Sequence, residues 1–244
     1  MAHPAEPANR LLAMLPSREF EKIAPKLERV TMELRQVICQ PGDPIRYAHF
    51  PTTSMLSSIV VLSGGIAVEA ATIGNEGMAG VGLLISQRAS PYRVIQQVEG
   101  ETLRISADHF EEALAASRSL RDIIQRYTFT LLQQSGQNAA CNLHHPMDRR
   151  LSRWLLQTSD RAGRSDFFIT QEFLSEMLGV SRQTVNGAAR TLQERRLINY
   201  RRGHVAIQDR PGLEAAACEC YAIFNDTYAR YMQTTIEKPA DPSR

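Results

Sequence analysis

The chain has 244 residues, 43% of them hydrophobic and 22% charged, and a formal net charge of +2, a composition that is typical of folded globular proteins and excludes disordered and fibrous classes. The length suits two domains better than one, and no apolar run approaches the ~20 residues of a membrane-spanning helix. The N-terminal sequence MAHPAEPANR lacks the basic and apolar regions of a secretory signal, so we expect a cytoplasmic protein with no membrane partner.

Short helices and then short strands are predicted in the first hundred residues. Between residues 10 and 30 apolar side chains recur at helical spacings, and Ser17, which follows Pro16, is a candidate N-cap. From residue 31 to 105 short apolar runs alternate with Gly- and Pro-containing turn signals. Closely spaced strands of this kind predict an antiparallel sandwich or roll that encloses its own core.

A long helix is predicted from Ser119 to about Leu143, after a shorter one from Asp108 to Ala116. It needs a surface to pack against, and two alternatives are open: the preceding sheet, or its twin in a parallel homodimer. Pro146 ends it, because proline disfavours helical geometry in the residue before it. The residues near its stripe are Leu120, Ile123, Ile124, Tyr127, Leu131, Leu132, Gln134, Ser135, Asn138 and Cys141.

The segment from Thr170 to Arg196 has the pattern of a helix-turn-helix. Thr170 is suited to cap the first helix, Gly179 to end it with a left-handed backbone, and Ser181 to cap the second helix. A helix from Arg149 to about Asp160, with Asp148 as its predicted cap, precedes this segment. The predicted inward faces are Phe173, Leu174, Met177 and Leu178 in the first helix, and Val185, Ala188, Ala189 and Leu192 in the second.

Polar side chains begin the outward face of the second helix, where a recognition helix meets base edges in the major groove. Arg182 is suited to pair with guanine, and Gln183 or Asn186 with adenine. A strand-like pair, residues 197–200 and 204–207, follows and predicts a wing with its tight turn at Arg201-Arg202-Gly203. The predicted DNA contacts are Thr170, Gln171, Ser181, Arg182, Gln183, Thr184, Asn186, Arg190, Arg201 and Arg202.

Charge is unevenly distributed in a way that agrees with this interpretation. Residues 148–210 contain 12 arginines and 7 acidic residues, whereas residues 1–147 contain 13 basic and 14 acidic residues. Arginine favours bidentate contacts to phosphate and guanine, but many solvated surfaces carry a similar excess. The alternative is an ordinary helical hairpin with a basic face; the wing and the polar early turn favour DNA.

These motifs resemble the Crp/Fnr family of bacterial regulators. The resemblance is carried by residues 170–185 (TQEFLSEMLGVSRQTV), by Leu197-Ile198 before the wing, and by residues 73–80 (IGNEGMAG), which are similar to that family's β-roll turn. A branch of the family is similar at Cys141-Asn142, at residues 150–156 and at residues 218–221 (CECY).

The resemblance implies an α+β fold in three parts. These are an N-terminal antiparallel β-roll of the cyclic-nucleotide-binding type (residues 1–118), a long dimerisation helix (119–146), and a C-terminal winged helix-turn-helix with an extra C-terminal helix (147–244). It also implies a transcription regulator that binds double-stranded DNA as a homodimer on a two-fold symmetric operator, with RNA polymerase as a further partner. The β-roll would sense an unidentified signal, and the implied effector-binding residues are Gly74, Glu76, Gly77 and Met78.

The sequence departs from the cyclic-AMP-dependent relatives at two places. Ser90-Pro91 stands where those relatives carry a phosphate-holding Arg-Ser pair, and Arg88 and Arg93 are out of phase. Without a guanidinium fork a cyclic phosphate loses its charge-assisted clamp, so cyclic-AMP binding is not expected. Gly187 replaces a reading residue of the recognition helix, so we expect a different operator. A cyclic-nucleotide-binding regulatory module remains the alternative function.

Cofactors, metals and catalysis are not expected. Only Cys39 lies in the first 140 residues, which excludes the N-terminal iron–sulfur cluster of oxygen-sensing relatives. Residues 31–105 contain one histidine, His49, and no nucleophile–base motif, so we expect no enzyme. Cys218 and Cys220 lie on a predicted helix from Leu213 to Met232. A Cys-x-Cys pair alone is a weak metal signal, and packed thiols are favoured over a redox sensor.

Overall fold

The computed structural model of the protein describes residues 8–233. Residues 1–7, which carry most of the prediction about a secretory signal, and residues 234–244 of the predicted C-terminal domain lie outside this part. Within residues 8–233 no helix combines the length and the apolar character that crossing a membrane requires.

The N-terminal half contains two antiparallel sheets, and we call this unit the β-roll. One sheet has the strand order β1-β7-β3 and the other the order β2-β6-β4-β5. The elements of this half are α1 (Arg10–Ala13), α2 (Ser17–Ile23), β1 (Glu28–Met32), β2 (Val37–Cys39), β3 (Tyr47–Pro51), β4 (Met55–Val61), β5 (Ala67–Ile73), β6 (Arg93–Val98), β7 (Gly100–Ser106) and α3 (Ala107–Ala116).

The C-terminal half is helical with a small three-stranded sheet of order β8-β10-β9. The predicted fold class, an antiparallel β-roll followed by a long helix and a winged helix-turn-helix, is therefore confirmed. Its elements are α4 (Arg118–His144), α5 (Met147–Ala162), β8 (Asp166–Phe168), α6 (Gln171–Leu178), α7 (Arg182–Glu194), β9 (Ile198–Arg201), β10 (His204–Ile207), α8 (Arg210–Ala216) and α9 (Cys220–Gln233).

One hydrophobic core joins the two halves. Met55 and Ile59 of β4 pack in the same cluster as Leu151 and Trp154 of α5. The Trp154 indole also donates a hydrogen bond of 3.2 Å to the carboxylate of Glu69, which is buried in β5. The helix that leads into the helix-turn-helix is thus anchored directly on the β-roll.

The long helix α4 packs on the β-roll along one face and against α9 along another. Its capping residue is Ser117, whose hydroxyl accepts a hydrogen bond from the Leu120 amide. It ends where His145 takes an extended backbone before Pro146, as the sequence predicts. Its buried residues are Leu120, Ile124, Tyr127, Thr130, Gln134, Asn138 and Cys141.

The predicted single helix from Leu213 to Met232 is wrong, because the chain forms two helices there. Ala217 leaves helical geometry with ψ 161°, and α9 begins at Cys220. Residues two apart on one helix point in very different directions, since each residue turns the helix by about 100°. The break allows both Cys218 and Cys220 to be buried against the end of α4.

Two predicted helix caps are also wrong. Ser17 is already the first residue of α2, and Asn9 is the residue that caps a helix here, at the start of α1. Asp148 lies inside the first turn of α5, which begins one residue earlier at Met147. A carboxylate in that turn still favours the helix, because it lies near the positive end of the helix dipole.

Candidate functional site

The helix-turn-helix is built by local caps and a glycine turn. The Thr170 hydroxyl accepts a hydrogen bond of 3.2 Å from the Phe173 amide at the start of α6. Gly179 ends α6 with φ +62°, a backbone geometry that costs glycine little. The Ser181 hydroxyl then accepts a bond of 3.1 Å from the Thr184 amide and caps α7. All three roles follow the sequence prediction.

The second helix, α7, has one buried face and one open face. Val185, Ala188, Ala189 and Leu192 are buried, as their spacing predicts. The opposite face is exposed. It includes Gly187, where an added Cβ would meet nothing within 4 Å. The predicted DNA contacts on this open face are Ser181, Arg182, Gln183, Thr184, Asn186 and Arg190, all of them exposed.

Hydrogen bonds connect several of these side chains. Gln171 of α6 donates a bond of 3.3 Å to Asn186 of α7, which links the two helices at their polar edge. Arg190 forms an exposed ion pair of 2.8 Å with Glu194 one turn later. Arg182 has no ion pair among residues 8–233, and its guanidinium is available for a ligand.

Thr170 is placed apart from the open face of α7. Its hydroxyl receives a second hydrogen bond, of 2.7 Å, from Arg35 of the β-roll. The Arg35 guanidinium also lies over the Phe173 ring, 5.5 Å from its centroid. In this arrangement Thr170 connects the helix-turn-helix to the β-roll, a contact that local sequence patterns do not reveal.

The wing is a tight hairpin between β9 and β10. The structure corrects its turn, because Arg201 pairs with His204 inside the ladder and only Arg202 and Gly203 form the loop. Both loop residues have positive φ, 51° and 84°, as a two-residue type I′ turn requires. Arg201 and Arg202 are both exposed. A third strand, β8, was not predicted; it pairs with β10 and completes the small sheet.

The predicted effector turn is packed against helices of the same chain. Glu76 forms a buried ion pair of 2.8 Å with Arg161 of α5. Met78 is fully buried, and a Cβ added at Gly77 would overlap the Tyr127 hydroxyl. Gly74 lies close to Arg161 in the same way. Glu76 and Tyr127 contribute to the wall of a cavity of about 400 Å³ between this turn, α4, α5 and α9.

A smaller cavity of about 60 Å³ lies inside the β-roll. Ser90 is in its wall, but its hydroxyl is bonded to the Tyr92 carbonyl at 2.8 Å. Arg88 forms ion pairs outside with Asp108 and Glu111, and Arg93 donates to Gln40. Among residues 8–233, Arg46 is the one arginine in the wall of this cavity.

Three cysteines and one histidine meet at the end of α4. They are Cys141, His145, Cys218 and Cys220, and their sulfur and ring nitrogen atoms all lie within 4.8 Å of one another. A hydrogen bond from the Cys218 thiol lowers the pKa of Cys141, and the same bond raises the pKa of Cys218. The sequence interpretation treated these thiols as packing. The signal that it missed is a Cys-x-x-x-His pair at a helix end, followed by the Cys-x-Cys pair.

The sequence and the structure were compared with protein-family models, curated proteins and solved structures. Residues 149–216 match the family model of the Crp-like helix-turn-helix domain. No curated protein matches the chain. FixK2 from Bradyrhizobium japonicum superposes with a TM-score of 0.66 at 15% identity, covering 79% of this chain and 98% of that chain.

Two further solved structures give similar values. For CLP from Xanthomonas campestris, a c-di-GMP responsive global regulator, the TM-score is 0.62 at 17% identity, with 79% of this chain and 99% of that chain covered. For a Crp/Fnr-family transcriptional regulator from Thermus thermophilus it is 0.61 at 18%, with 78% and 98% covered. At these identities the likeness shows a shared fold.

Proposed function

We propose that this chain, which carries a Crp-like helix-turn-helix domain on the fold of the Crp/Fnr transcription regulators, binds a two-fold symmetric DNA operator as a homodimer and regulates transcription there. The observation that carries the proposal is the open face of α7. Its early-turn residues Arg182, Gln183 and Asn186 are exposed, while the opposite face is buried. A recognition helix needs this arrangement to enter the major groove.

The contacts divide by chemistry. Arg182 is suited to guanine, and Gln183 or Asn186 to adenine. Ser181, Thr184 and the wing residues Arg201 and Arg202 are suited to phosphate. Gln171, Arg190 and Thr170 complete the proposed set. For Thr170 a phosphate contact requires the bond to Arg35 to be shared or released.

Dimerisation is supported by a second face of α4, which we call the open α4 face. It consists of Phe129, Leu132, Gly136, Ala139 and Leu143, at alternating spacings of three and four residues, and at one end the Phe129 ring packs edge-on against Tyr231 of α9. Leu132 is 66% exposed and Leu143 is 78% exposed. Spacing of this kind is typical of the seam of a coiled coil, and Gly136 permits close approach.

This assignment differs from the predicted stripe of α4. Most residues of that stripe, such as Ile124 and Tyr127, pack on the chain's own β-roll. Both alternatives left open by the sequence are therefore used in the proposal, on different faces of the helix. A dimer with two recognition helices reads half-sites roughly 34–36 Å apart, one turn of DNA.

We further propose that a signal reaches the DNA-binding half through the turn containing Gly74, Glu76, Gly77 and Met78. The support is the Glu76–Arg161 ion pair, which joins this turn to α5. RNA polymerase and a cytoplasmic location belong to the same proposal, since a regulator acts where transcription occurs.

Selection of bound sequences from a random double-stranded DNA library, at two salt concentrations, tests the function. We expect a palindromic consensus with half-sites one helical turn apart and weaker binding at the higher salt concentration. Arg118, an exposed arginine of α4, provides the control, because Arg118→Ala should return the same consensus. Recovery of no consensus would contradict the proposal.

A cyclic-nucleotide-binding module is the second candidate, and the β-roll fold is the observation that favours it. Calorimetry with cyclic AMP and cyclic GMP separates the two candidates. We expect no heat of binding, because the cavity inside the β-roll is only about 60 Å³ and Ser90 is bonded to backbone.

A further inference from the structure

We propose that Cys141, His145, Cys218 and Cys220 form a four-coordinate structural site for one zinc ion. The site lies outside residues 149–216, which match the helix-turn-helix family model, and it does not depend on the proposed DNA-binding function. It joins the last turn of α4, the junction between α4 and α5, and the break between α8 and α9.

Two distances between ligand atoms match those around a tetrahedral zinc ion, and all four ligand atoms lie within 4.8 Å of one another. Zn–S bonds of about 2.3 Å and Zn–N bonds of about 2.0–2.1 Å place two sulfurs about 3.8 Å apart, and a sulfur and a nitrogen about 3.5 Å apart. The Sγ atoms of Cys141 and Cys218 are 3.6 Å apart. The Sγ atom of Cys220 is 3.5 Å from Nδ1 of His145.

The same distances argue against a disulfide and against an iron–sulfur cluster at this site. A disulfide would bring two sulfurs to about 2.05 Å, and the Cys141 and Cys218 sulfurs are 3.6 Å apart. An iron–sulfur cluster would stand between its ligands and separate them, whereas these four ligand atoms all lie within 4.8 Å of one another. Three cysteines and one histidine are a common donor set for structural zinc.

A carboxylate orients the histidine. Nε2 of His145 lies 3.0 Å from the Glu219 carboxylate, while Nδ1 faces the sulfurs. This carboxylate–histidine arrangement fixes the ring and makes the ligating nitrogen more basic. Gln137 donates a hydrogen bond of 3.0 Å to the sulfur of Cys220 and helps to position it.

The surrounding charge also suits a site with three thiolates. Three thiolates and one Zn²⁺ carry a net charge of −1. Arg150 and Arg153 are buried beside α4, at 6% and 3% exposure. Arg150 donates hydrogen bonds to Asn142 and the Leu178 carbonyl, and Arg153 donates to Asn138 and Gln157 and is attracted by the Glu69 carboxylate. Buried cations are costly without a compensating negative charge, and the zinc–thiolate group supplies one.

A zinc ion at this site would connect the end of α4, the start of α5 and the start of α9. Residues 141 and 218 are 77 positions apart, yet one ion would hold both. A structural zinc site of this type stabilises the fold that assembles it. The C-terminal helices α8 and α9 would therefore stabilise the junction between α4 and α5.

Metal analysis of the full chain, purified under reducing conditions and without chelators, tests the proposal. We expect one zinc per chain in the wild type and at least a tenfold lower zinc content in Cys218→Ala and His145→Ala. Cys218→His should retain zinc, because imidazole can replace the thiolate. Cys39→Ser is the matched control, since Cys39 lies in β2, away from the cluster, and should keep full occupancy.

A conservative variant and a second probe keep the test valid if a ligand variant fails to fold. Glu219→Ala should weaken zinc binding by roughly 10–100-fold in competition with a chelator, whereas Asp226→Ala, at an exposed acid of α9, should not. Cobalt bound to the wild type should show the absorption of tetrahedral thiolate coordination.

Four outcomes would overturn the proposal. They are a wild-type chain that binds no zinc after incubation with zinc sulfate, full zinc content in Cys218→Ala, an iron–sulfur absorption spectrum, and a Cys141–Cys218 disulfide under the same reducing conditions. The last result would assign the pair to redox chemistry instead.

Discussion

His49 is a buried base on β3, opposite Arg104 of β7. Burial and, to a smaller extent, the positive charge of Arg104 lower the pKa of His49 from 6.5 to about 4. A lowered folded-state pKa means that the unfolded chain takes up the proton more readily. The contribution of His49 to stability is therefore complete above pH 6.5 and is lost as the pH falls towards 4.

We expect protonation linked to His49 to lower the free energy of unfolding by about 2 kcal/mol when the pH falls from 7.5 to 5. His49→Gln should lose that part of the pH dependence, as measured by urea unfolding at both pH values. His109→Gln, at an exposed position of α3, should keep the wild-type dependence. The same change in the free energy of unfolding between the two pH values, in the wild type and in His49→Gln, would contradict this assignment.

Gly77 allows close contact between the predicted effector turn and α4. A Cβ at this position would overlap the Tyr127 hydroxyl, and Tyr127 is buried. We expect Gly77→Ala to lower the free energy of unfolding by roughly 1–3 kcal/mol, because the packed core must shift. Gly187→Ala, in open space on α7, should instead raise it by roughly 0.5–1 kcal/mol through helix propensity. Equal effects of the two substitutions would show that the turn is loosely packed.

At the scale of elements, α4 has two apolar faces. One packs on the β-roll through Ile124 and Tyr127, and the open α4 face exposes Leu132 and Leu143. A helix face whose leucines stay this exposed within the described part of the chain is a candidate for pairing with a second copy.

Leu132→Glu should convert the proposed dimer to a monomer, because it places a charge in the seam. Analytical ultracentrifugation measures the change, and DNA affinity should fall at the same time. Ile223→Glu introduces the same charge at an exposed apolar position of α9 and should leave the dimer intact. A wild-type chain that is monomeric at micromolar concentration would exclude this use of the face.

Sequence reasoning succeeded where the signal is local. The caps Thr170 and Ser181, the turn at Gly179 and the buried face of α7 all depend on residues within a few positions of each other, and the structure has each of them. The wing was predicted for the same reason, with an error of one residue in its turn.

Contacts between distant residues were beyond this kind of reasoning. The contact between Arg35 and Thr170 spans 135 positions, and no periodicity reports it. The meeting of Cys141 and Cys218 depends on a helix break at Ala217 that helical spacing alone conceals. The two faces of α4 were not separable, because the sequence does not show which one the β-roll covers.

At the scale of the whole molecule, the β-roll and the DNA-binding half share a core and a buried ion pair. Glu76 and Arg161 are both largely buried and 2.8 Å apart. We expect a double-mutant cycle of Glu76→Gln and Arg161→Gln to give a coupling free energy of roughly 1–3 kcal/mol in urea unfolding. The exposed pair Lys26–Glu112 is the control and should give less than about 1 kcal/mol. Equal couplings would mean that the two halves are not joined at this point.

Regulation requires that this connection be linked to DNA affinity. The proposed route runs from the turn at Glu76 through Arg161 into α5, and α5 shares its core with α7. The zinc site would fasten the opposite end of α5 to α4 and α9. The signal and the DNA operator would then act on one connected set of helices, α4, α5, α7 and α9.

The most direct test of the central claim is the affinity of Arg182→Ala for the selected operator and for operators with single base changes. If α7 reads DNA, the variant should bind the preferred site about 1–3 kcal/mol more weakly and should lose discrimination at one base pair. Arg202→Ala should weaken binding to all sites similarly and reduce the salt dependence. Unchanged affinity and unchanged selectivity in Arg182→Ala would contradict the assignment of α7 as the recognition helix.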